Sequence, residues 1–421
     1  MSSSSGPIQM LHRHALESVL GFLSLAEVGG AMSVAHHWSA AALTMRRLEC
    51  SVNFVVPCES RLSRHISSLS AECSVADLEL IARRMPHLTS LYCRLQTLPL
   101  LGDPLLIFPS SISTLQIDLL DEEVVADVER CNALICSVSR VPLLKKFLLE
   151  TVLPCSDQLS LAPLANCCLL EELSVENALG YYSDMQLRDM LALPSLVACG
   201  IFVYDEIRRL LLYNQDQSPR WKTLNFSGSA QNMSSLISAS SLSCSITTLA
   251  WHMRDNGVDY MFVHQLHNLQ DLVLNRTKYI ITSSEAEQTL VALQKCTKLT
   301  SLKMTGIGFT SSHLCNLLPC LGHLRTLHLL GHHNNNLESL RCFSRGPITR
   351  TLTELTLSGC KHPLLHTTEL EHVHALRELR RFKIDDSFAE PLDAFALRCY
   401  SNPCSLLLPK LTKFSYCRGN S

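Results

Sequence analysis

A six-residue pattern, apolar-x-x-apolar-x-apolar, recurs along the chain from Leu88 towards its end. It is written LTSLYC from Leu88, ISTLQI from Ile112, LKKFLL from Leu144, LEELSV from Leu170, LVACGI from Leu196, WKTLNF from Trp221 and ITTLAW from Ile246. It continues as LQDLVL from Leu269, LTSLKM from Leu299, LRTLHL from Leu324, LTELTL from Leu352, LRRFKI from Leu379 and LTKFSY from Leu411. The thirteen copies start 23 to 32 residues apart, about 27 on average. In each copy the last two apolar positions are separated by one residue, which puts them on one side of a short strand and the intervening residue on the other. Between copies the rhythm turns helical. Ser183 with Gln186, Ser284 with Glu287, and Thr368 with Glu371 each fit a capping box, in which hydroxyl and third-position side chain satisfy N–H groups at a helix start. After Ser284, Leu290 and Leu293 fall on one helical stripe. Pro86, Pro194 and Pro319 stand just before strands, where proline closes a helix.

A strand and a helix in about 27 residues cannot bury their own apolar faces, but stacked units bury them continuously. Helices are wider than the roughly 4.8 Å between neighbouring strands, so such a stack bends with the strands inside. The expected class is therefore α/β: a solenoid with a curved parallel sheet inside, helices outside, and a small α-helical module at the N-terminus. The repeated residues resemble the leucine-rich repeat family, with a period like that of its ribonuclease-inhibitor-like and cysteine-containing types, over Leu88 to Ser421. That family ties adjacent turns with Asn or Cys shortly after the last leucine position. Here only Cys360 fits; Gln96, Val152, Ala178, Arg254, Thr277 and His332 do not. Uneven coils are expected, above all between Ile112 and Leu144 and between Leu379 and Leu411.

The N-terminal region reads differently. Residues 1–8 are expected to be a disordered, serine-rich tail, and residues 9–50 space Val19, Leu20, Leu23, Leu25, Val28, Val34 and Trp38 as two or three short amphipathic helices. The strings VLGFLSLAEV and VAHHW resemble an F-box, a helical module of about 40 residues that docks on the small adaptor subunit of a cullin ubiquitin ligase. His14 and Ala15 stand where that family opens with Leu-Pro, and Gly29 with Gly30 weakens the helix. A second reading makes the segment an end cap over the first exposed core; its distance from Leu88 argues for the F-box. Residues 51–87 read as linker or degenerate repeats, with SVNFVV as a strand and SVADLELIARRM as a helix. Residues 88–421 form the solenoid of about thirteen repeats.

Composition narrows the function. The 421 residues are 47% hydrophobic and 18% charged, a core-forming chain longer than the 250–300 residues or so at which one core stops growing. A net charge of −2 gives no global field for nucleic acid or an anionic membrane, so neither is an expected partner. Nineteen scattered cysteines point to a reducing compartment, cytoplasmic or nuclear. Glu17 and Glu27 interrupt the one apolar stretch that resembles a secretion signal, Leu16 to Met32, which leaves a secreted receptor-like repeat as a third reading. No segment reaches the roughly 18 uninterrupted apolar residues of a membrane span.

Candidate chemistry is sparse. Cys360, His362, His366, His372 and His374 lie within fifteen residues, but they complete no zinc-knuckle spacing, and Pro363 interrupts the one i, i+4 pair. No metal or other cofactor is expected. Cys131, Cys167, Cys296 and Cys320 fall where helix turns into strand and read as small buried hydrophobes rather than nucleophiles. No phosphate-binding glycine loop, GxSxG or HExxH occurs, so no catalytic residue is assigned. What remains is a surface, three side chains per strand on the inside of the curve, making a wall of roughly 60 Å. Its expected target-binding residues run from Tyr92, Asp118, Glu150, Glu172, Glu176 and Phe202 through Asn225, His252 and Asn275 to Lys303, His328, Arg381, Lys383 and Lys413. The resemblance implies a substrate receptor, monomeric outside its complex, that holds a protein target on this wall while the N-terminal residues dock the ligase adaptor. The alternative is a scaffold or inhibitor without ligase function.

Overall fold

The structure is a computed structural model. It describes residues 47–50, 67–95, 98, 106–119, 128–150, 160–175, 186, 189, 190, 192–202, 220–239, 242–253, 260–276, 283–307, 309–330, 339–358, 367–385 and 408–417. The chain divides into two units, residues 1–197 and 198–421. The first contains β1 (Arg47–Cys50), β2 (Ser68–Cys73), β3 (Ser90–Leu95), β4 (Thr114–Leu119), β5 (Lys146–Glu150) and β6 (Glu172–Val175), parallel and paired in chain order. The second contains β7 (Ala198–Phe202), β8 (Thr223–Gly228), β9 (Thr248–Met253), β10 (Asp271–Arg276) and β11 (Ser301–Thr305). It continues with β12 (Thr326–Leu330), β13 (Glu354–Ser358), β14 (Arg381–Asp385) and β15 (Lys413–Cys417), again parallel and in chain order.

All thirteen copies of the pattern form strands, β3 to β15, each starting two residues into its copy. β1 and β2 come earlier, so the parallel sheet of the first unit begins at Arg47 and not at Leu88. Residues 1–46, with every residue assigned to adaptor docking, lie outside the described residues, as does SVNFVV.

In-register pairing turns the pattern into buried columns. Leu69, Leu91, Leu115, Phe147 and Leu173 make one column in the first unit. Cys199, Leu224, Leu249, Leu272, Leu302, Leu327, Leu355 and Phe382 make its counterpart in the second. All are buried, as is the leading apolar residue of every copy from Leu88 to Leu379. At about 1.5–3 kcal/mol for each large apolar side chain removed from water, these columns dominate the favourable side of folding.

The outer layer is less uniform than the sequence suggests. It contains α1 (Val75–Arg84) and α2 (Val128–Val138) in the first unit, and α3 (Ala230–Ala239), α4 (Leu242–Ser245), α5 (Ser283–Gln294), α6 (Ser311–Leu317) and α7 (Ile348–Thr351) in the second. 3-10 helices occur as well: Ala162–Asn166, Tyr260–Gln265 and Thr367–Ala375, with Leu318–Cys320 following α6 and Arg341–Ser344 preceding α7. Spacing does not separate the two forms: the 22-residue step from Ser68 to Ser90 holds α1, whereas the 27-residue step from Leu352 to Leu379 holds the Thr367–Ala375 3-10 segment. Two expected capping boxes are corrected: Ser284 lies inside α5 and Thr368 inside a 3-10 segment, because each helix starts earlier than its hydroxyl. Ser183 is outside the described residues. Among the described residues, boxes form between Ser74 and Asp77 at α1 and between Thr310 and His313 at α6.

Polar ties join neighbouring coils. Six copies carry Ser or Thr at their second position, and in all six that hydroxyl donates to a carbonyl of the preceding coil. Thr89 bonds Ser67, Ser113 bonds Thr89, Thr247 bonds Lys222, Thr300 bonds Gln270, Thr353 bonds Arg325 and Thr412 bonds Arg380, at 2.9 to 3.2 Å. On the outer side, two serines are clamped by an acid one coil later. Asp189 accepts from the Ser160 hydroxyl at 2.8 Å and from the N–H groups of Leu161 and Ala162. Glu369 accepts from the Ser339 hydroxyl at 2.7 Å and from Leu340 N–H at 3.0 Å.

Burial pushes the Glu369 carboxyl up, but Ser339, Leu340, His372 and Arg341 outweigh it and hold it below its ordinary value of 4.5. A carboxylate depressed in the folded state stabilises above that ordinary value, and the contribution disappears as pH falls through the folded one. Glu369→Ala leaves two part-buried donors without their acceptor, an expected cost of about 1 kcal/mol at pH 7. In urea denaturation the gap between variant and wild type should narrow at pH 3.5; an equal gap at both pH values contradicts the ionised clamp.

Candidate binding face

Strand alternation sends the remaining side chains to the face opposite the buried columns. In the first unit these residues engage one another. Arg94 Nε donates to the Tyr92 hydroxyl at 3.0 Å and lies 3.3 Å from the Asp118 carboxylate, while Tyr92 donates to Asp118 at 3.5 Å. The Arg94 guanidinium stands 6.0 Å from the Tyr92 ring centre. Lys146 pairs with Glu172 at 2.7 Å. Register aligns Glu150 with Asp118. Glu176 lies outside the described residues.

In the second unit, register aligns Phe202 with Ser227, and Asn225 stands between the buried Leu224 and Phe226 on β8. Asn275 and His252, on adjacent strands, approach to 3.2 Å through the amide and ring Nδ1. His328 Nε2 meets the Glu354 carboxylate at 3.1 Å, and Arg381 reaches the same carboxylate at 3.6 Å. Burial lowers the His328 pKa, Lys303 and Lys383 lower it further, and the Glu354 hydrogen bond opposes them without reversing the shift. The imidazole is therefore neutral at pH 7. Lys383 and Lys413 are exposed and Lys303 is half-buried. The face residues thus sit where strand alternation puts them, and the structure adds Arg94, Lys146 and Glu354 as their partners. The signal for these three was already present, since each flanks an apolar strand position.

One charged group was not legible at all. Arg276 ends β10 in line with Met253, in a buried column, with 2% exposure. Its Nη1 is 3.7 Å from the Glu285 carboxylate near the start of α5, and its Nε and Nη1 make no hydrogen bond. Gly306, with φ of 72°, packs on this residue: a Cβ there would lie 2.1 Å from the Arg276 carbonyl oxygen. Only glycine fits that approach.

The buried thiols behave as core, whereas Cys168, Cys244 and Cys315 are exposed. Burial pushes Cys167 and Cys296 up to about 11 and raises Cys93 and Cys199 well above the ordinary value, so thiolate is disfavoured at each. Cys131 is buried within α2, not at a helix–strand corner, because that helix runs on to Val138. Cys320 is half-buried, ending a 3-10 helix. Cys360, His362 and His366 lie outside the described residues, among which no group of three or more metal-ligating side chains occurs. None of the described helices is long and apolar enough to cross a membrane.

Parallel strands in chain order, one per repeat, with leucine columns on one side and a polar face on the other, define each unit as a leucine-rich repeat solenoid. Neither a family profile nor a curated protein sequence matches the chain. Solved structures with a similar fold include an internalin of Listeria monocytogenes, at 14% identity and TM-score 0.37 over 96% of this chain and 95% of that one. A leucine-rich repeat protein of Leptospira interrogans aligns at 14% identity and TM-score 0.34, over 88% of this chain and 96% of its own. The Toll–Spätzle complex of Drosophila aligns at 12% identity and TM-score 0.43, over 88% of this chain and 44% of that one.

Proposed function

We propose that the chain is a non-catalytic recognition protein that holds a protein target on its polar sheet face. The carrying observation is the in-register face itself, two or three side-chain positions per strand over six strands in one unit and nine in the other. Nine strands at about 4.8 Å extend roughly 40 Å, enough for the roughly 800 Å² that one partner contributes to a standard interface.

The finer reading makes it the substrate receptor of a cullin-type ubiquitin ligase. Val19, Leu20, Leu23, Leu25, Val28, Val34 and Trp38 then dock the adaptor subunit, and the target's lysines gain effective concentration near the transfer enzyme. That role places the chain in cytoplasm or nucleus, where its cysteines stay reduced. A second reading is favoured by one observation: β1 starts at Arg47, so residues 9–46 directly precede the first strand, where an end cap belongs.

A purified adaptor subunit titrated with the full-length protein separates the two. Adaptor docking predicts saturable binding that Trp38→Ala weakens more than a hundredfold, as expected for truncating a buried tryptophan worth about 3–5 kcal/mol. Unchanged binding by that variant removes the docking surface. No binding at all, with a fall in denaturation midpoint when residues 1–46 are deleted, assigns the segment as a cap.

A further inference from the structure

The last five strands carry a charge pattern that the rest of the face lacks. Face positions of β11 to β15 hold four cations, Lys303, Arg381, Lys383 and Lys413, against two carboxylates, Glu354 and Asp385. Glu354 is already shared by His328 and Arg381. Among the described residues, no carboxylate lies within 4 Å of Lys303, Lys383 or Lys413. In the first unit two face cations, Arg94 and Lys146, each lie within 3.3 Å of an acid. Strands β8 to β10 offer one charged face residue, Asp271, which accepts long hydrogen bonds from the Thr248 and Thr300 hydroxyls. Unspent positive charge is therefore concentrated at one end of the second unit.

Its spacing is defined by the ladder. Lys303, His328, Thr356 and Lys383 occupy one row across β11, β12, β13 and β14. Three ladder steps of about 4.8 Å separate the two lysines by about 14 Å. An extended chain advances about 3.3 Å per residue and crosses that distance in about four residues, whereas a helix at about 1.5 Å per residue needs about nine. Between the lysines, Thr356 is buried and the His328 imidazole is held against Glu354, so the two lysines are the charged points of the row.

We propose that β11 to β14 select an extended acidic segment of the partner protein, crossing the strands with two carboxylates four residues apart, one on Lys303 and one on Lys383. This rests on the reading of the sheet face as the recognition surface. Because both lysines remain partly open to solvent, the attraction is screened by salt and weakens above about 0.15 M ionic strength.

The full-length protein would be titrated at low salt with fluorescent twelve-residue Gly/Ser peptides carrying glutamates at positions 4 and 8, glutamates at 4 and 5, or glutamines at 4 and 8. A single-stranded uridine dodecamer forms the nucleic-acid arm. The 4,8-glutamate peptide should bind at least tenfold tighter than the glutamine peptide and severalfold tighter than the 4,5 peptide. Lys303→Glu with Lys383→Glu should abolish the preference. Arg345→Glu with Arg350→Glu, the same charge change off the face, should preserve it. The neutral pair Lys303→Gln with Lys383→Gln should also lose it while keeping the wild-type circular dichroism. Equal binding of glutamate and glutamine peptides, equal effects of the two double reversals, or tighter binding of the RNA overturns the proposal. A photo-crosslinking residue at position 328 keeps the two readings apart. Trapping of a cellular protein there while the peptides show no preference leaves the recognition face standing without acidic selection, and failure of both removes both.

Discussion

Trp251→Ala is expected to lower the unfolding free energy of the second unit by about 3–5 kcal/mol, measured as the shift in urea midpoint followed by circular dichroism. The indole is fully buried on β9, flanked in register by Phe226 and Leu274. Phe262, from the outer 3-10 segment, meets it edge-on with ring centres 5.0 Å apart, and the indole N–H donates to the Gly228 carbonyl at 3.0 Å. One side chain thus joins three neighbouring coils to the outer layer. Its removal opens a cavity and strips a buried carbonyl of its donor. Each coil of a repeat array is stable only through its neighbours, so the loss should spread along the array rather than stay at β9. Trp251→Phe keeps most of the volume and should cost about half as much; equal costs for the two variants would mean that the hydrogen bond, and not packing, governs the site.

The sequence reveals the strands and hides what joins them. Each strand is written in six consecutive residues, so all thirteen copies were legible, and so was the face that alternation assigns to Tyr92, Asn275 or Lys383. β1 and β2 escaped the pattern because RLEC is too short to show it and SLSAEC puts small Ala71 at the last apolar position. The outer layer was misread for a different reason. A capping box describes a helix start in isolation, and both Ser284 and Thr368 fall inside helices that begin earlier in the chain. Coil-to-coil clamps were invisible because Ser160 and Asp189, or Ser339 and Glu369, stand about thirty residues apart with no local signature. The face showed its residues but not its partners: that Arg94 is spent on Tyr92 and Asp118 while Lys303 is not follows only from the ladder.

Glu285→Ala is expected to destabilise the protein by about 3–5 kcal/mol although it removes a single side chain near a helix start. Arg276 is why. With 1% of its side chain exposed and two of its nitrogens lacking hydrogen bonds, it relies on the Glu285 carboxylate at 3.7 Å to offset a charge held away from water. Without the carboxylate that charge is buried and uncompensated. Arg276→Met should behave oppositely. Met253 already fills the neighbouring position of the same column, and replacing a buried ion pair by well-packed apolar groups is neutral or stabilising by up to about 4 kcal/mol. The double variant Arg276→Met with Glu285→Ala should therefore lie near wild type, giving a coupling of several kcal/mol in a double-mutant cycle read by urea denaturation. A cost for Glu285→Ala below about 1 kcal/mol, or simple additivity in the cycle, would show that the guanidinium reaches water or another acceptor. If the coupling holds, the arginine is retained for something other than stability, since an apolar side chain suits the column better; and Gly306, pressed on its carbonyl, keeps the next coil close whichever side chain stands there.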